Sequence, residues 1–310
     1  MGVAVGIGLM DYPFGDADRF WNWVDLCEAS PLDSIWQTDR IISPFPMLEC
    51  MSAMAAIAGR TERLKFGFNV ISLAFRDPLL VAKQCATIDY LSNGRLLPAF
   101  GIGNPRAPEW QVVGIETKGR GRRTDEALDI ITRLWRENKV DYEGRYFRLS
   151  GASINPKPKQ ANLPVWIGGD SDAAVRRTAR IGTGWQAGLQ TPQDVAPVIA
   201  AIRRAVIEQG RTIDDDHYGA AFPYYFGVPS DLAPQKALVG YRERTGKDGQ
   251  AYIAVGDAEL IVDRIAQYID AGASKFILRP LGRDDADVIK QTELLIDRVL
   301  PEVARRWPRR

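Results

Sequence analysis

The sequence predicts one (β/α)8 barrel, an α/β protein whose parallel strands close into a ring. Three observations carry this. Short apolar runs alternate with helical segments along nearly the whole 310 residues, the mark of a parallel sheet. The stretch 65–103 holds a complete strand–helix–strand unit, the length of one right-handed crossover. A last apolar run near residue 276, followed by a helix, can return to the first strand and close the sheet. An open doubly wound sheet is the alternative arrangement of the same elements. No shift in composition marks a boundary, so residues 1–310 are expected to form a single domain.

Taken in order, residues 3–9 are a buried strand. Residues 16–29 form a helix with Asp16 or Asp18 near its start, where a carboxylate satisfies free N–H groups. A short strand at 34–38 ends in Asp39-Arg40. A helix of small and apolar residues, 46–58, stops near Gly59. The apolar run 66–73 is the third strand. Arg76-Asp77-Pro78 then turns into a helix at 79–91, and Ser92-Asn93-Gly94 leads into the strand 95–102. The helix 122–136 has one apolar stripe through Leu128, Ile131, Leu134 and Trp135. Residues 140–149 break the alternation and predict a small β-hairpin insertion outside the main sheet. The run to 164, rich in Pro, Lys and Asn, reads as an extended surface segment. A strand at 164–167 ends in Gly168-Gly169-Asp170-Ser171 and opens a helix at 172–180. A strand at 184–187 and a helix at 192–209, stopped by Gly210, follow. Residues 217–228 are aromatic and strand-like, and 229–256 are mixed. A helix at 257–271, a strand at 275–278 ending in Arg279-Pro280 and a closing helix at 285–306 complete the chain.

Composition bounds the function. Hydrophobic residues at 45% and charged residues at 25% suit one large core. A net charge of +1 argues against nucleic acid or an anionic membrane as main partner. Arg305, Arg306, Arg309 and Arg310 are expected to form a solvated tail. Cys27, Cys50 and Cys85 sit in apolar, helix-like contexts without metal spacing, which suits small core residues in a reducing compartment. The apolar start lacks a basic flank, so it reads as a strand, not a signal peptide. No run reaches the length of a membrane span. A cytoplasmic protein is expected.

No nucleophile is advertised. One histidine excludes a multi-His metal site. There is no nucleophile elbow, and no cysteine has a histidine partner nearby. Glycine-rich turns and polar residues stand instead at strand ends, where barrels place their ligands. That pattern suits a protein holding a reactive cofactor. Gly168-Gly169-Asp170-Ser171 joins a strand to a helix, so it serves either as an anion cradle or as a tight turn with an N-cap. Gly101-Ile102-Gly103 lacks the third glycine of a dinucleotide fingerprint.

Several segments then carry a resemblance. Ser34-Ile35-Trp36-Gln37-Thr38-Asp39, Thr61-Glu62-Arg63-Leu64-Lys65-Phe66-Gly67 and Thr87-Ile88-Asp89-Tyr90-Leu91-Ser92-Asn93-Gly94-Arg95 come first. Asn155-Pro156-Lys157-Pro158, Trp166-Ile167-Gly168-Gly169 and Gly182-Thr183-Gly184-Trp185 follow. Together they resemble the bacterial-luciferase-like oxidoreductases that use a flavin or coenzyme F420. The match runs to about Gln190, and 87–95 is its most specific part. The resemblance implies a luciferase-like TIM barrel, a homodimer, and a flavin or deazaflavin at the strand ends. It implies cofactor contacts from Asp39, Asn69, Val70, Gly103, Asn104 and Trp185, with a cis Asn69–Val70 peptide behind the ring. It also implies phosphate binding by Gly168, Gly169, Asp170 and Ser171. Many members carry a histidine where this chain has Arg40, and an arginine stays protonated. That departure weakens the usual F420 dehydrogenase mechanism and leaves Arg40 as an anion stabiliser. His217 is then the candidate proton donor, if it stands at the barrel mouth.

The favoured reading is a monooxygenase that uses reduced FMN and O2 to oxidise an organic small molecule, with FMN supplied by a separate reductase. An F420-dependent hydride-transfer dehydrogenase or reductase is the alternative, and a non-catalytic flavin-binding protein is a third. Phe222, Tyr224 and Arg279 are expected at the substrate, with Trp36, Trp185 and Phe226 as further pocket aromatics or as core. A Schiff-base aldolase is disfavoured because Lys275 begins its strand. No metal is expected.

Overall fold

Every pairing in the main sheet is parallel. The computed structural model describes residues 2–308. In it β1 (Ala4–Leu9) leads to α1 (Ala17–Ala29), β2 (Ser34–Gln37) to α2 (Cys50–Arg60), and β3 (Lys65–Phe68) runs past Asn69-Val70 into β4 (Ile71–Ser72). After α3 (Pro78–Leu91) the next strand is split by Pro98 into β5 (Leu96–Leu97) and β6 (Ala99–Gly101). The loop beyond carries α4 (Glu109–Val112) and then α5 (Arg120–Arg136). β7 (Val140–Glu143) and β8 (Arg148–Ala152) pair antiparallel in a separate two-stranded sheet.

The ring resumes with β9 (Trp166–Gly168), α6 (Asp172–Ile181), β10 (Gly184–Gln186), α7 (Pro192–Glu208) and β11 (Tyr218–Phe226). The mixed stretch at 229–256 holds α8 (Leu232–Thr245) and β12 (Ala254–Gly256), which pairs beside β11. The helix escapes a sequence reading because only Ala233, Pro234 and Tyr241 are buried, which leaves no apolar stripe to betray it. Then come α9 (Ala258–Asp270), β13 (Lys275–Pro280), α10 (Asp285–Leu294) and, across a π turn at Leu295–Val299, α11 (Leu300–Arg306).

The ring closes through its register. β13 pairs with β1, β1 with β2, and β2 with β3. The two halves of the third strand pair with the two halves of the fourth, β3 with β5 and β4 with β6. The pairing continues through β9, β10 and β11 back to β13. Counting the split strands once, this is an eight-stranded barrel of the type the sequence predicts.

Alternation along each strand sorts side chains between lumen and helix layer. Trp36, Ala99, Trp166, Ala221 and Ile277 fill the lumen, with Val70 and Leu97 packed on them. Lys275, one step below Ile277, pairs with Asp33 at the amino end of the barrel. Helices are stopped and started by side chains on the chain itself. Asp16, Glu49, Asp77, Thr191, Asp257 and Asp284 each accept a backbone N–H at a helix start. Cys27, Cys50 and Cys85 are buried thiols. Arg305 and Arg306 are exposed, as expected, and lie on α11, where both pair with Glu302. Arg309 and Arg310 lie outside the described residues. Among the described residues no helix is long and apolar enough to cross a membrane.

Candidate active site

The carboxyl ends of the strands build a mouth around Val70. The Asn69–Val70 peptide is cis, and the Val70 side chain lies between two glycines. A Cβ on Gly101 would meet Val70 Cγ2 at 2.6 Å, and one on Gly168 would meet Cγ1 at 3.1 Å. Only bare backbone on β6 and β9 leaves room for this side chain, so the floor of the mouth is a branched apolar residue flanked by flat main chain. Beside it Asn69 Nδ2 is buried and has no hydrogen-bond partner. An orphaned buried donor is costly, which marks a place where a ligand acceptor belongs. The pyrimidine edge of a flavin or deazaflavin offers such acceptors, so these residues fit that group.

One wall is tied together by Asp39. Its carboxylate accepts from Ser72 N at 3.0 Å, from Arg76 Nη2 at 2.7 Å and from the Cys50 thiol at 3.2 Å. Burial works against the Arg76 charge, but Asp39 holds its guanidinium above the ordinary value. Burial and the Asp39 charge push the Cys50 thiol up, so it stays a neutral donor. Asp39 is thus fully occupied in joining the loops after β2 and β4. Arg40, next in sequence, is exposed at the rim. Gly103, at φ +76°, turns the chain after β6; a Cβ there would meet Trp110 at 3.1 Å and Phe75 at 3.5 Å. Those two rings pack with centroids 4.1 Å apart, and Trp110 Nε1 donates to the Asn104 carbonyl at 2.7 Å.

Glu109, which the sequence reading passed over, is the notable acid of this wall. It is 3% exposed. Its Oε1 accepts from Ile42 N at 3.4 Å, and its Oε2 has no partner. A carboxylate in that state can accept or deliver a proton once a ligand arrives. The available signal was a single acid in the apolar stretch Ala107-Pro108-Glu109-Trp110 behind a barrel strand.

The opposite side holds the glycine turn. Gly169 adopts φ +109°, and Ser171 caps α6 by accepting from Ala174 N at 3.3 Å. Asp170 is drawn aside by Gln190 Nε2 at 2.8 Å. Arg177 is not available to an anion, because it pairs with Asp125 at 2.7 Å and donates to the Gly121 carbonyl. That contact sets the start of α5 beside α6. There a cavity of about 780 Å³ is lined by Lys118, Arg120, Arg122, Arg123 and Arg145, against one acid, Glu116. Arg120 Nε is buried without a partner.

Four expected residues face elsewhere. His217 precedes β11, so it lies at the amino end of the barrel, away from the mouth. Its Nδ1 is 2.8 Å from the Thr183 carbonyl, and it supplies no proton at the mouth. Phe222 and Tyr224 alternate outward with Ala221 inward. Phe222 stacks on Tyr268 of α9 at 5.3 Å, and the Tyr224 hydroxyl donates to the Gln291 carbonyl of α10. They belong to the helix layer, not a substrate pocket. Trp185 also faces outward, but its Nε1 donates to the Gly169 carbonyl at 2.7 Å and so braces the turn from behind. Arg279 shares the inward parity of Ile277 at the carboxyl end of β13, is 7% exposed, and has no hydrogen bond or ion pair among the described residues.

Known proteins share this architecture. An uncharacterized protein of Mycobacterium tuberculosis is 33% identical over 168 residues, 54% of this chain, and the match spans only 57% of that relative's length. F420-dependent glucose-6-phosphate dehydrogenase of Amycolatopsis mediterranei is 27% identical over 93% of this chain and 96% of its own. Among solved structures, monooxygenase RslO1 from Streptomyces bottropensis superposes with a TM-score of 0.83 at 18% identity, over 96% of this chain and 99% of that one. The oxygenating constituent of 3,6-diketocamphane monooxygenase of Pseudomonas putida, solved with FMN, does so at 0.79 and 16%, over 97% and 99%. The sequence model of the luciferase-like monooxygenases matches residues 4–275. With the barrel and its mouth in place, this chain belongs to the luciferase-like monooxygenase family.

Proposed function

We propose that the chain is an F420-dependent oxidoreductase that moves hydride to or from an organic small molecule. One observation carries the choice of cofactor. The cavity lined by Lys118, Arg120, Arg122, Arg123 and Arg145 also includes Gly121, whose carbonyl accepts from Arg177 on the helix that Gly168–Ser171 opens. FMN ends in one phosphate, whereas F420 continues past its phosphodiester into carboxylates, which need such a run of cations. The F420-dependent relative spanning almost the whole chain supports the same choice.

F420, when bound, supplies the hydride acceptor or donor. The chain's own residues do the rest. Asn69 Nδ2 would donate to the ring edge, and Val70 would support its face. The N–H groups at Gly169 to Ser171, before and at the start of α6, would hold the phosphate. Asp39 locks the wall through Ser72 and Arg76. Glu109 Oε2 takes or returns the substrate proton, the part expected earlier of His217. Two copies are proposed to form the working homodimer, in the cytoplasm.

A reduced-FMN monooxygenase is the second reading, and Arg40 favours it, since the usual histidine of F420 dehydrogenases is missing there. It requires O2 and a partner reductase. Separate titrations of the purified chain with F420 and FMN decide. Tight F420 binding that weakens at least tenfold in a Lys118→Ala/Arg145→Ala double variant supports the proposal. Tight FMN binding without F420 affinity overturns it.

A further inference from the structure

The cofactor reading leaves one charged side chain unexplained. Arg279 ends the last barrel strand on the inward parity and is 7% exposed; its guanidinium, which solvent still reaches, has no hydrogen-bond or ion-pair partner among the described residues. Burying an unpaired cation is strongly unfavourable, and native chains avoid it unless a ligand completes the pair. It is also not alone. Two exposed arginines lie in its surroundings: partial desolvation first, and then the like charges of Arg40 and Arg279, hold the Arg244 guanidinium of α8 below its ordinary value. Arg244 keeps only a bond to the Gly240 carbonyl of its own helix. Tyr252, beneath them, donates its hydroxyl to the Gly188 carbonyl and is no counter-charge. Of the acids around the mouth, Asp39 serves Arg76 and Asp170 serves Gln190, Glu243 beside Arg244 is exposed, and Glu109, with one oxygen unbonded, forms no ion pair with any of the three arginines. A guanidinium fork matches a carboxylate or phosphate bidentately.

We propose that the substrate carries an oxyanion, a carboxylate or phosphate group, and that Arg279 grips it with Arg244 and Arg40 at the rim. This rests on the mouth being the active site, and it adds the substrate class to that reading. It also gives Arg40 a role that a proton-relay residue at its position would not have.

The test uses the purified full chain at fixed ionic strength, titrated with inorganic phosphate and, separately, with acetate, and followed by calorimetry and thermal melting. Arg279→Met is expected to weaken the preferred anion at least tenfold, and Arg244→Met and Arg40→Met several-fold. Arg279→Met is further expected to melt no lower than the parent without added anion, because an unpaired buried charge has been removed. A structural arginine would lose stability instead. Preference for phosphate or for acetate identifies the group. The proposal is overturned if the parent binds neither anion, or if Arg279→Met binds both as the parent does. It also falls if Ser171→Gly abolishes phosphate binding while Arg279→Met leaves it intact, since the anion then sits on the glycine turn. Should Arg279→Met fail to fold, unchanged binding in the Arg40→Met/Arg244→Met double variant overturns it. F420 and FMN titrations of the same variants keep the two questions apart. Loss of anion binding with cofactor binding retained supports the oxyanion site, and absence of any cofactor binding counts against the cofactor reading alone.

Discussion

A carboxylate 3% exposed with one oxygen unbonded, as at Glu109, is costly to keep unless a ligand completes it. Glu109→Gln keeps the shape and removes the proton site. Steady-state turnover is expected to fall by about 10²–10⁴-fold, the usual range for a general acid or base. Cofactor affinity should stay within about twofold; a loss of binding would instead make Glu109 a cofactor contact. Val70 is tested through its neighbour. A methyl on Gly101 lands 2.6 Å from Val70 Cγ2, so Gly101→Ala should lose about 1–3 kcal/mol and most cofactor affinity. Val70→Ala added to it removes the clash and should recover the stability in chemical denaturation. Recovery of stability without recovery of affinity would show that Val70 itself supports the ring.

Among the elements, the segments most recognisable in the sequence are scaffold. Arg95, which closes the Ser92-Asn93-Gly94-Arg95 turn, donates to the carbonyls of Ala58, Thr61, Leu64 and Ser92 and so ties the end of α2 to the start of β5. Arg63 does the same for the end of α1, donating to the carbonyls of Cys27, Glu28, Ser30 and Leu32. Arg95→Lys cannot restore a planar fork serving four acceptors. It should cost about 2–4 kcal/mol in urea unfolding with kcat unchanged at saturating cofactor. The closing helix carries a pH-dependent clip. The hydrogen bonds of Arg305 and then Arg306 hold the Glu302 carboxyl down to about 2. A depressed folded value means the contribution is whole above about pH 4.5 and fades toward pH 2. The stability gap between the parent and Glu302→Gln should therefore close as pH falls across that window. A gap that does not change with pH would remove Glu302 from the account.

At the scale of the whole molecule the barrel brings distant segments to one mouth: Asp39, Asn69, Glu109, Gly168 and Arg279 come from five different strand ends. The two-cofactor titration belongs here, since the basic cavity lies between the loop after β6 and the two-stranded sheet at β7 and β8. The (β/α)8 order was legible because parallel strands buried on both faces leave apolar runs, and helices leave caps and stripes. The turn at Gly168–Ser171, the place of Asn69-Val70 and the inward Arg279 were legible for the same reason: a strand end can be located from its run. The facing of Phe222 and Tyr224 was not. All of 218–226 is apolar or aromatic, and a strand without polar alternation does not say which side chains point inward. His217 was misplaced although it opens the run 217–228: a residue that begins a parallel strand stands at the amino end of the barrel, opposite the mouth.

By itself the sequence determined the order of elements, the capped helices, the family-like arginine turns and the glycine-lined strand ends. Each depends on neighbours within one turn or one crossover. Only the tertiary structure decided what those ends enclose. It paired Asp39 with Arg76 and Cys50, set Val70 against Gly101 and Gly168, left Glu109 half-bonded, and turned Arg279 into the mouth unpaired. Burial and the satisfaction of a polar group depend on atoms far away in the chain, so the chemistry becomes visible only after the ring has closed.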